Sequence, residues 1–278
     1  MKLLGVVVTY YPDIPDLLEN IRCYIDVVDH LIIWKNTPVA DEERYVISLS
    51  DNSDKVTYLG TGSNEGIAYA LNRSVEWGMS NHFTHLLTMD QDSLFVDARK
   101  FRKAVEEIGN ELNIGIYAPN SNHEYSSDPD VQTVSYAITS GSIFRLDIFD
   151  KTGLFREDYF IDAVDLEFCY RAALHGFRTV AFGKCELKQN FGQKHYSIFG
   201  ISPTLYSEYR TYNIVKNHII LWREYPKQFT EKWRFVEGYI LKRFIKIVLF
   251  DKNKWKKLKA LMKGIYCGIT YKLPEIKK

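Results

Sequence analysis

A chain of 278 residues with 46% hydrophobic content can bury one large core, or a principal domain with a smaller appendage, which excludes a disordered or fibrous protein. Its four cysteines, Cys23, Cys169, Cys185 and Cys267, lie far apart with no CxxC pair, which argues against a disulfide framework or a zinc cluster and for a reducing, cytoplasmic setting. The formal net charge of +1 hides an asymmetry: residues 219–278 hold 16 Lys and Arg against 5 Asp and Glu, a basic tail on an acidic body.

In chain order, Leu3–Thr9 is a short apolar, β-branched run and reads as a buried strand that begins directly, without a basic leader or cleavage site, leading into the turn Tyr10-Tyr-Pro-Asp13. Helical spacing is expected over Asp16–Val28. Strands are expected at His30–Trp34, before the turn Asn36-Thr-Pro38, and at Val56–Leu59. This alternation predicts a parallel α/β sheet. After the loop Gly60–Gly66, Ile67–Met79 shows helical spacing. A buried strand at Thr84–Met89 stops at Asp90-Gln-Asp92. A helix over Arg99–Leu112 and a strand over Ile114–Ala118 follow. Ser140-Gly141-Ser142 is expected just after a strand, and Val164 is expected to begin a helix. One long helix is expected over Ser202–Tyr225, and Phe229–Tyr271 is helical, amphipathic and basic. There is no internal repeat.

Acidic residues at the carboxyl end of a buried strand stand where open α/β sheets put ligands. Asp90-Gln-Asp92 therefore reads either as a ligand pair for a hard divalent cation that also holds a diphosphate, or as a solvated acidic turn. Asp162 and Asp165 sit where they could cap a helix, although capping alone does not need a third carboxylate, Glu167, and Arg171 nearby. Glu167 and Arg171 are four apart and read best as a pair on one helix face. Ser140 and Gly141 suit either the approach of a sugar to the backbone or an ordinary turn. Arg210 and Lys216 could balance a diphosphate or be a solvated helix face. A lone histidine such as His195 is more often structural than a ligand.

In order along the chain stand Val7-Val-Thr-Tyr-Tyr-Pro12, Asn64-Glu-Gly-Ile-Ala68 with Asn72, Met89-Asp-Gln-Asp-Ser93 and Thr139-Ser-Gly-Ser142 leading to Gly153-Leu-Phe155. Phe160-Ile-Asp-Ala-Val-Asp-Leu-Glu-Phe168 with Arg171 and Gly176, and Arg210-Thr-Tyr-Asn-Ile-Val-Lys-Asn217, complete the set. Across most of residues 1–220 this series resembles the rhamnosyltransferase-like members of glycosyltransferase family 2, which have the GT-A fold. The resemblance implies an α/β fold with a mixed, mainly parallel central sheet flanked by helices. It implies a catalytic domain over 1–218, with a nucleotide-sugar half of about 1–118 and an acceptor half of about 119–218, followed by a basic helical region over 219–278.

By the same resemblance Thr9, Tyr11, Asn36, Asn64, Gly66, Asp90 and Arg210 would contact the donor, Asp92 would ligate Mg²⁺ or Mn²⁺, and Asp165 would be the general base. Ser140 and Gly141 would face the acceptor, and Asp162 would contact the acceptor or the donor sugar. The donor would be a dTDP- or UDP-linked sugar, dTDP-rhamnose first, and the acceptor a surface-polysaccharide or polyprenyl-linked glycan. Two positions depart from the family: Lys35 stands where an aspartate usually precedes Asn36, and Leu187-Lys-Gln-Asn-Phe-Gly192 lacks a histidine, leaving Gln189 or His195 to complete the metal site. The alternative is a non-catalytic nucleotide-sugar or glycan-binding protein with a decayed metal site. A sugar nucleotidyltransferase would need a glycine-rich basic N-terminal loop, which is missing. The acidic body argues against a nucleic-acid partner. The basic tail reads either as a peripheral contact with the anionic inner face of the cell membrane or as helices packed on the protein; its lysines leave no span of roughly 20 apolar residues.

Overall fold

Strand β1 (Leu3–Thr9) is buried along its whole length and is the axis of a nine-stranded sheet. It pairs in parallel with β2 (His30–Lys35) on one side and with β4 (His85–Asp90) on the other, and β3 (Val56–Leu59) extends the parallel set beyond β2. The computed structural model describes residues 1–37, 54–108, 111, 113–189, 206–230, 232–251 and 253–274. The sheet order is β3-β2-β1-β4-β8-β6-β9-β5, with β5 (Ser93–Phe95), β6 (Ile114–Ser121), β8 (Ile143–Arg145) and β9 (Arg178–Gln189); β7 (Val131–Val134) also pairs with β9. From β4 onward the pairing is mixed: β8 is antiparallel to β4 and to β6, and β9 is parallel to β6 and antiparallel to β5 and β7. The fold is thus the expected α/β type with a mainly parallel core.

Helices α1 (Ile14–Arg22) and α2 (Ile67–Ser80) make the crossovers β1–β2 and β3–β4. The Asp13 carboxylate accepts from the Asp16 N–H at the start of α1, and Pro15 occupies the first turn. The helix stops at Arg22, short of the expected Val28: Ile25–Val27 forms a 3₁₀ turn and Val28 is already extended, although Tyr24, Ile25 and Val28 continue the buried face of Leu17, Leu18 and Ile21. There the Asp29 N–H donates to the Leu3 carbonyl, and the Asp29 carboxylate accepts from the Leu3 N–H, drawing the chain into register for β2. The core beneath holds Leu3, Val7, Leu31, Ile33, Leu87 and Phe101, each contributing about 1.5–3 kcal/mol by burial. Helix α3 (Ala98–Ile108) covers the same face; residues 109, 110 and 112 of its expected end lie outside the described residues. Neither β5 nor β9 is among the strands expected from the sequence.

The chain divides into two compact units, one of residues 1–157 and 168–191, the other of 158–167 and 192–278. The first contains the sheet, α1 to α3 and the short α4 (Phe149–Thr152). Helix α5 (Val164–Leu174) begins where expected, in the second unit, and ends in the first. The second unit is built on α6 (Glu208–Glu224), whose N-cap is Ser207; residues 202–205 of the expected helix lie outside the described residues. The tail forms α7 (Lys232–Phe235), a π-helical stretch (Val236–Leu241), α8 (Lys242–Phe250) and α9 (Lys254–Thr270). Gly264 and Gly268 let α9 approach α6 closely: a Cβ on them would lie 2.8 Å from the Tyr212 carbonyl oxygen and 2.8 Å from Ile219 Cβ.

Candidate active site

The strand order reverses direction between β1 and β4, a topological switch point, and the register puts Thr9 opposite Lys35 and Val8 opposite Asp90. Ligands of open α/β sheets bind outside such carboxyl ends, and six of the expected donor residues lie here or in the loop tied to it. Thr9 is fully buried, and its hydroxyl donates to the Trp34 carbonyl, locking β1 to β2. Tyr11, with φ 44°, is 73% exposed and edge-stacked on Tyr10 with ring centroids 4.9 Å apart; its N–H donates to Thr37 Oγ1. Asn36 is buried: its N–H donates to the Thr9 carbonyl, its Oδ1 accepts from Trp34 Nε1 at 3.2 Å, and its Nδ2 donates to the Gly66 carbonyl at 3.4 Å. Asn36 therefore ties the end of β2 to the loop before α2. In that loop Asn64 Oδ1 accepts from the Gly66 N–H, and no side chain caps the first turn of α2.

The Asp90–Asp92 turn is held from three directions. The Asp90 N–H donates to Ser140 Oγ at 3.1 Å, and that hydroxyl donates to Ser93 Oγ at 2.7 Å. Gln189 Nε2 donates to Asp90 Oδ2 at 2.9 Å. Gln91, a residue the sequence reading passed over, clamps the first turn of the chain: the Tyr10 N–H donates to Gln91 Oε1 at 2.7 Å, Gln91 Nε2 donates to the Tyr10 carbonyl at 3.1 Å, and Asn20 Nδ2 donates to the Gln91 carbonyl. Its only signal in the sequence is its place between two carboxylates. The Ser140–Ser142 segment leads into β8 instead of following a strand directly. Ser140 and Gly141, expected near an acceptor, are both buried and locally build this turn. Gly141 has φ 77°, and a Cβ there would meet Leu187 and Pro119 side chains at 2.8 Å, so the space that the glycine leaves is filled by packing.

In the second unit, Asp162 and Arg210 come together. Arg210 Nε and Nη2 donate to Asp162 Oδ1 at 3.3 and 3.2 Å. Asp162 Oδ2 is buried without a hydrogen-bond partner; burial holds the Asp162 pKa above the ordinary carboxylate value, opposed by the Arg210 guanidinium. Phe160, Asp162 and Ala163 all take left-handed backbone conformations, with φ of 58°, 64° and 64°. Asn217 Nδ2 lies 2.8–2.9 Å from the carbonyl oxygens of Tyr159, Ile161 and Asp162, and Lys216 Nζ donates to the Asp158 carbonyl. Asp165 sits in the first turn of α5, half-buried, its Oδ1 accepting from the Leu166 N–H. Glu167 is fully buried and accepts from Tyr225 Oη at 2.8 Å. In the first unit, Arg171 donates to the carbonyls of Thr152 and Leu154.

The Asp90–Asp92 turn offers oxygen donors, the set that Mg²⁺ and Mn²⁺ prefer. One further oxygen fits them: Gln189 Oε1 is buried without a hydrogen-bond partner, on a residue that pairs with Ser93 across β9 and β5. Among the described residues no three His, Cys, Asp or Glu side chains assemble, so an ion here would rest on Asp92, an amide oxygen and the ligand itself. His195 lies outside the described residues.

No protein-family profile matches the chain. It is 27% identical over 250 residues to the dTDP-rhamnosyl transferase RfbF of Shigella flexneri, covering 80% of each chain. Among solved structures it is similar to GalNAc-T7 with UDP, GalNAc and Mn²⁺, at a TM-score of 0.59 and 11% identity, over 86% of this chain and 54% of that one. It is similar as well to S. aureus TarS, at a TM-score of 0.54 and 12% identity, over 98% of this chain and 44% of that one. It therefore spans about half the length of these two structures. A TarS fragment of residues 1–349 with UDP-GlcNAc gives the same score over 73% of its length. The structural similarity shows the GT-A fold, and in sequence the chain is similar to a dTDP-rhamnosyl transferase, in keeping with the resemblance read from its motifs.

Proposed function

We propose that the protein is an inverting, metal-dependent glycosyltransferase that moves rhamnose from dTDP-rhamnose onto a hydroxyl of a surface-polysaccharide or lipid-linked glycan. The observation that carries this reading is the switch point, where Thr9 and Asp90 stand at the carboxyl ends of β1 and β4, Tyr11 and Asn36 follow the ends of β1 and β2, and Asn36 ties in the Asn64–Gly66 loop. The choice of donor is supported by the similarity to a dTDP-rhamnosyl transferase, with a UDP-sugar as the second choice because the structural neighbours were solved with UDP or UDP-GlcNAc.

Tyr11 offers an exposed ring face to the base, backed by Thr9 and Asn36. The uncapped first turn of α2 offers backbone N–H donors to the diphosphate. Asp90 accepts from ribose and sugar hydroxyls. Asp92 and Gln189 Oε1 would hold Mg²⁺ or Mn²⁺, which when bound supplies positive charge against the leaving diphosphate. Ser140 and Gly141 serve the acceptor side by fixing the turn, and Asp162 contacts the acceptor while its partner Arg210 adds cationic charge toward the donor phosphates. The acceptor oxygen becomes strongly acidic as it bonds to the anomeric carbon, so Asp165 takes its proton late, worth about two to four orders of magnitude in rate.

The test is a panel of dTDP- and UDP-sugars scored for nucleotide-diphosphate release, with and without Mg²⁺ or Mn²⁺, on wild type and Asp165→Asn. Release from one donor, lowered about 10²- to 10⁴-fold in Asp165→Asn with donor affinity kept, is the expected result. Undiminished turnover in Asp165→Asn removes it as the base. Donor binding without turnover in the wild type leaves the non-catalytic alternative, a nucleotide-sugar-binding protein with a decayed metal site.

A further inference from the structure

We propose that the C-terminal helices of the second unit dock on an anionic lipid bilayer, through an apolar stripe edged by lysines. At the start of α8, Leu241, Phe244, Ile245, Val248 and Leu249 follow the i, i+3, i+4, i+7, i+8 spacing of a helix face meant to be covered. In the structure that face is open: all five are exposed, while Arg243 and Ile247 on the other side are buried. Buried Arg243 anchors the helix, its Nη2 donating to the Tyr206 carbonyl and to Thr211 Oγ1 on α6.

Helix α9 repeats the arrangement. Its packing face is Leu261, Gly264 and Gly268, and these lie against α6 or are buried. A separate row at i, i+7, i+11 and i+14, Trp255, Met262, Tyr266 and Ile269, is exposed. At about 100° per residue, Lys256, Lys259 and Lys263 fall along one border of this row. The helices thus spend one face on α6 and keep a second, apolar face in solvent. Trp233 and Trp255 are 83% and 85% exposed. Tryptophan is the side chain that bilayer interfaces favour, with an apolar body and one N–H for the headgroup layer.

Charge selects the occupant. Between Lys242 and Lys272 the chain has ten Lys and Arg and a single carboxylate, Asp251, which is buried and ion-paired with Lys257. A second copy would bring the same cations against this face, whereas anionic headgroups neutralise them at about 1 kcal/mol for each lysine near the surface. Among the described residues no helix is long and apolar enough to cross a membrane, so the contact is one of helices lying on the surface.

The test is sedimentation of the full chain with vesicles of phosphatidylcholine alone or mixed with phosphatidylglycerol, independent of any sugar transfer. Binding is expected only to the mixed vesicles and weakens as salt is raised. Each of Lys256→Gln, Lys259→Gln and Lys263→Gln should weaken binding about fivefold. The combined Phe244→Ser, Leu249→Ser, Trp255→Ser variant should weaken it by at least about tenfold with an unchanged melting temperature. The lysine variants keep the test open should that combination fold poorly. Absence of binding to the mixed vesicles at low salt, or equal binding to phosphatidylcholine alone, overturns the proposal. So does a wild-type dimer that the serine substitutions dissociate, which would assign the face to a second copy.

Discussion

Each unit presents its carboxylates on a turn, and the two turns are held by different means. Asp90 and Asp92 stand at the end of β4, where strand pairing, Ser140 Oγ accepting from the Asp90 N–H and Gln189 Nε2 donating to the Asp90 carboxylate hold the turn, and none of residues 90–92 is left-handed. The Phe160–Ala163 turn has three non-glycine residues with positive φ, each costing about 1–2 kcal/mol, and is restrained by two side chains of α6, Asn217 and Arg210. A turn built on a sheet tolerates the loss of one partner. A turn held open against its own backbone does not.

The largest effect should follow from Asn217→Ala. It removes the amide that reaches three carbonyls, of which that of Tyr159 keeps the Ile161 N–H while those of Ile161 and Asp162 lose it, and it releases the left-handed turn, at a cost of about 3 kcal/mol. Calorimetry should show a lower melting temperature, and hydrogen exchange should show the loss of protection at the start of α5. Unchanged protection there would break the contrast. In the first unit the comparable weak point is steric: Gly141→Ala places a methyl group against Leu187 and Pro119 at an unfavourable φ, at about 3 kcal/mol. Denaturant melts of the variant give that figure directly, and a loss under about 1 kcal/mol would mean that the Asp90 turn adapts.

How far each turn could be read beforehand follows from the same difference. Strands β1, β2, β4 and β6 are buried on both faces, so Leu3–Thr9 or Thr84–Met89 announces itself as an apolar run, and the carboxylates that end β4 stand out. Strand β9 hides because Gly183, Lys184 and Lys188 interrupt it, and its extended form comes from distant partners: β6 and β7 along Thr179–Phe182, β5 along Leu187–Gln189. In the sequence Gln189 therefore stands only as a departure from histidine, and nothing there marks it as the residue that binds Asp90. The left-handed turn has no sequence signature, since Phe160, Asp162 and Ala163 carry no glycine to mark it. The tail was legible as helical and basic, but which of its apolar residues face α6 depends on Gly264 and Gly268, whose packing role only the structure reveals.

A smaller effect tests whether acid separates the units. His218 lies against the Phe235 and Tyr239 rings, and burial pushes its pKa down to about 4, with the Ile214 carbonyl opposing. The unfolded chain takes up a proton near 6.5, so stability is retained above that pH and falls as pH drops from 6.5 toward 4, by about 2 kcal/mol at pH 5 and about 3 kcal/mol at pH 4. His85 in the first unit is also pushed to about 4, first by burial and then by Arg145 and the N-terminus. His218→Gln should remove the acid sensitivity of the second unit and leave that of the first, read by hydrogen exchange of the two units at pH 5 and pH 7. Equal losses in both units would show that they unfold together.

The smallest expected effect belongs to Arg210→Gln, and its sign separates charge from geometry. Burial raises the Asp162 pKa more than Arg210 lowers it, so the ionised carboxylate is a cost to the folded state. That cost is absent in acid, below the ordinary carboxylate range of about 4, and grows as pH rises toward the folded value. Removing the cation raises the folded pKa further and enlarges the cost at neutral pH, by about 1 kcal/mol because Arg210 is itself half-exposed. Urea melts of wild type and Arg210→Gln should therefore differ at pH 7 and converge in acid. A difference that persists in acid would mean that Arg210 restrains the turn by shape, as Asn217 does, and its charge would then be spare for a phosphate.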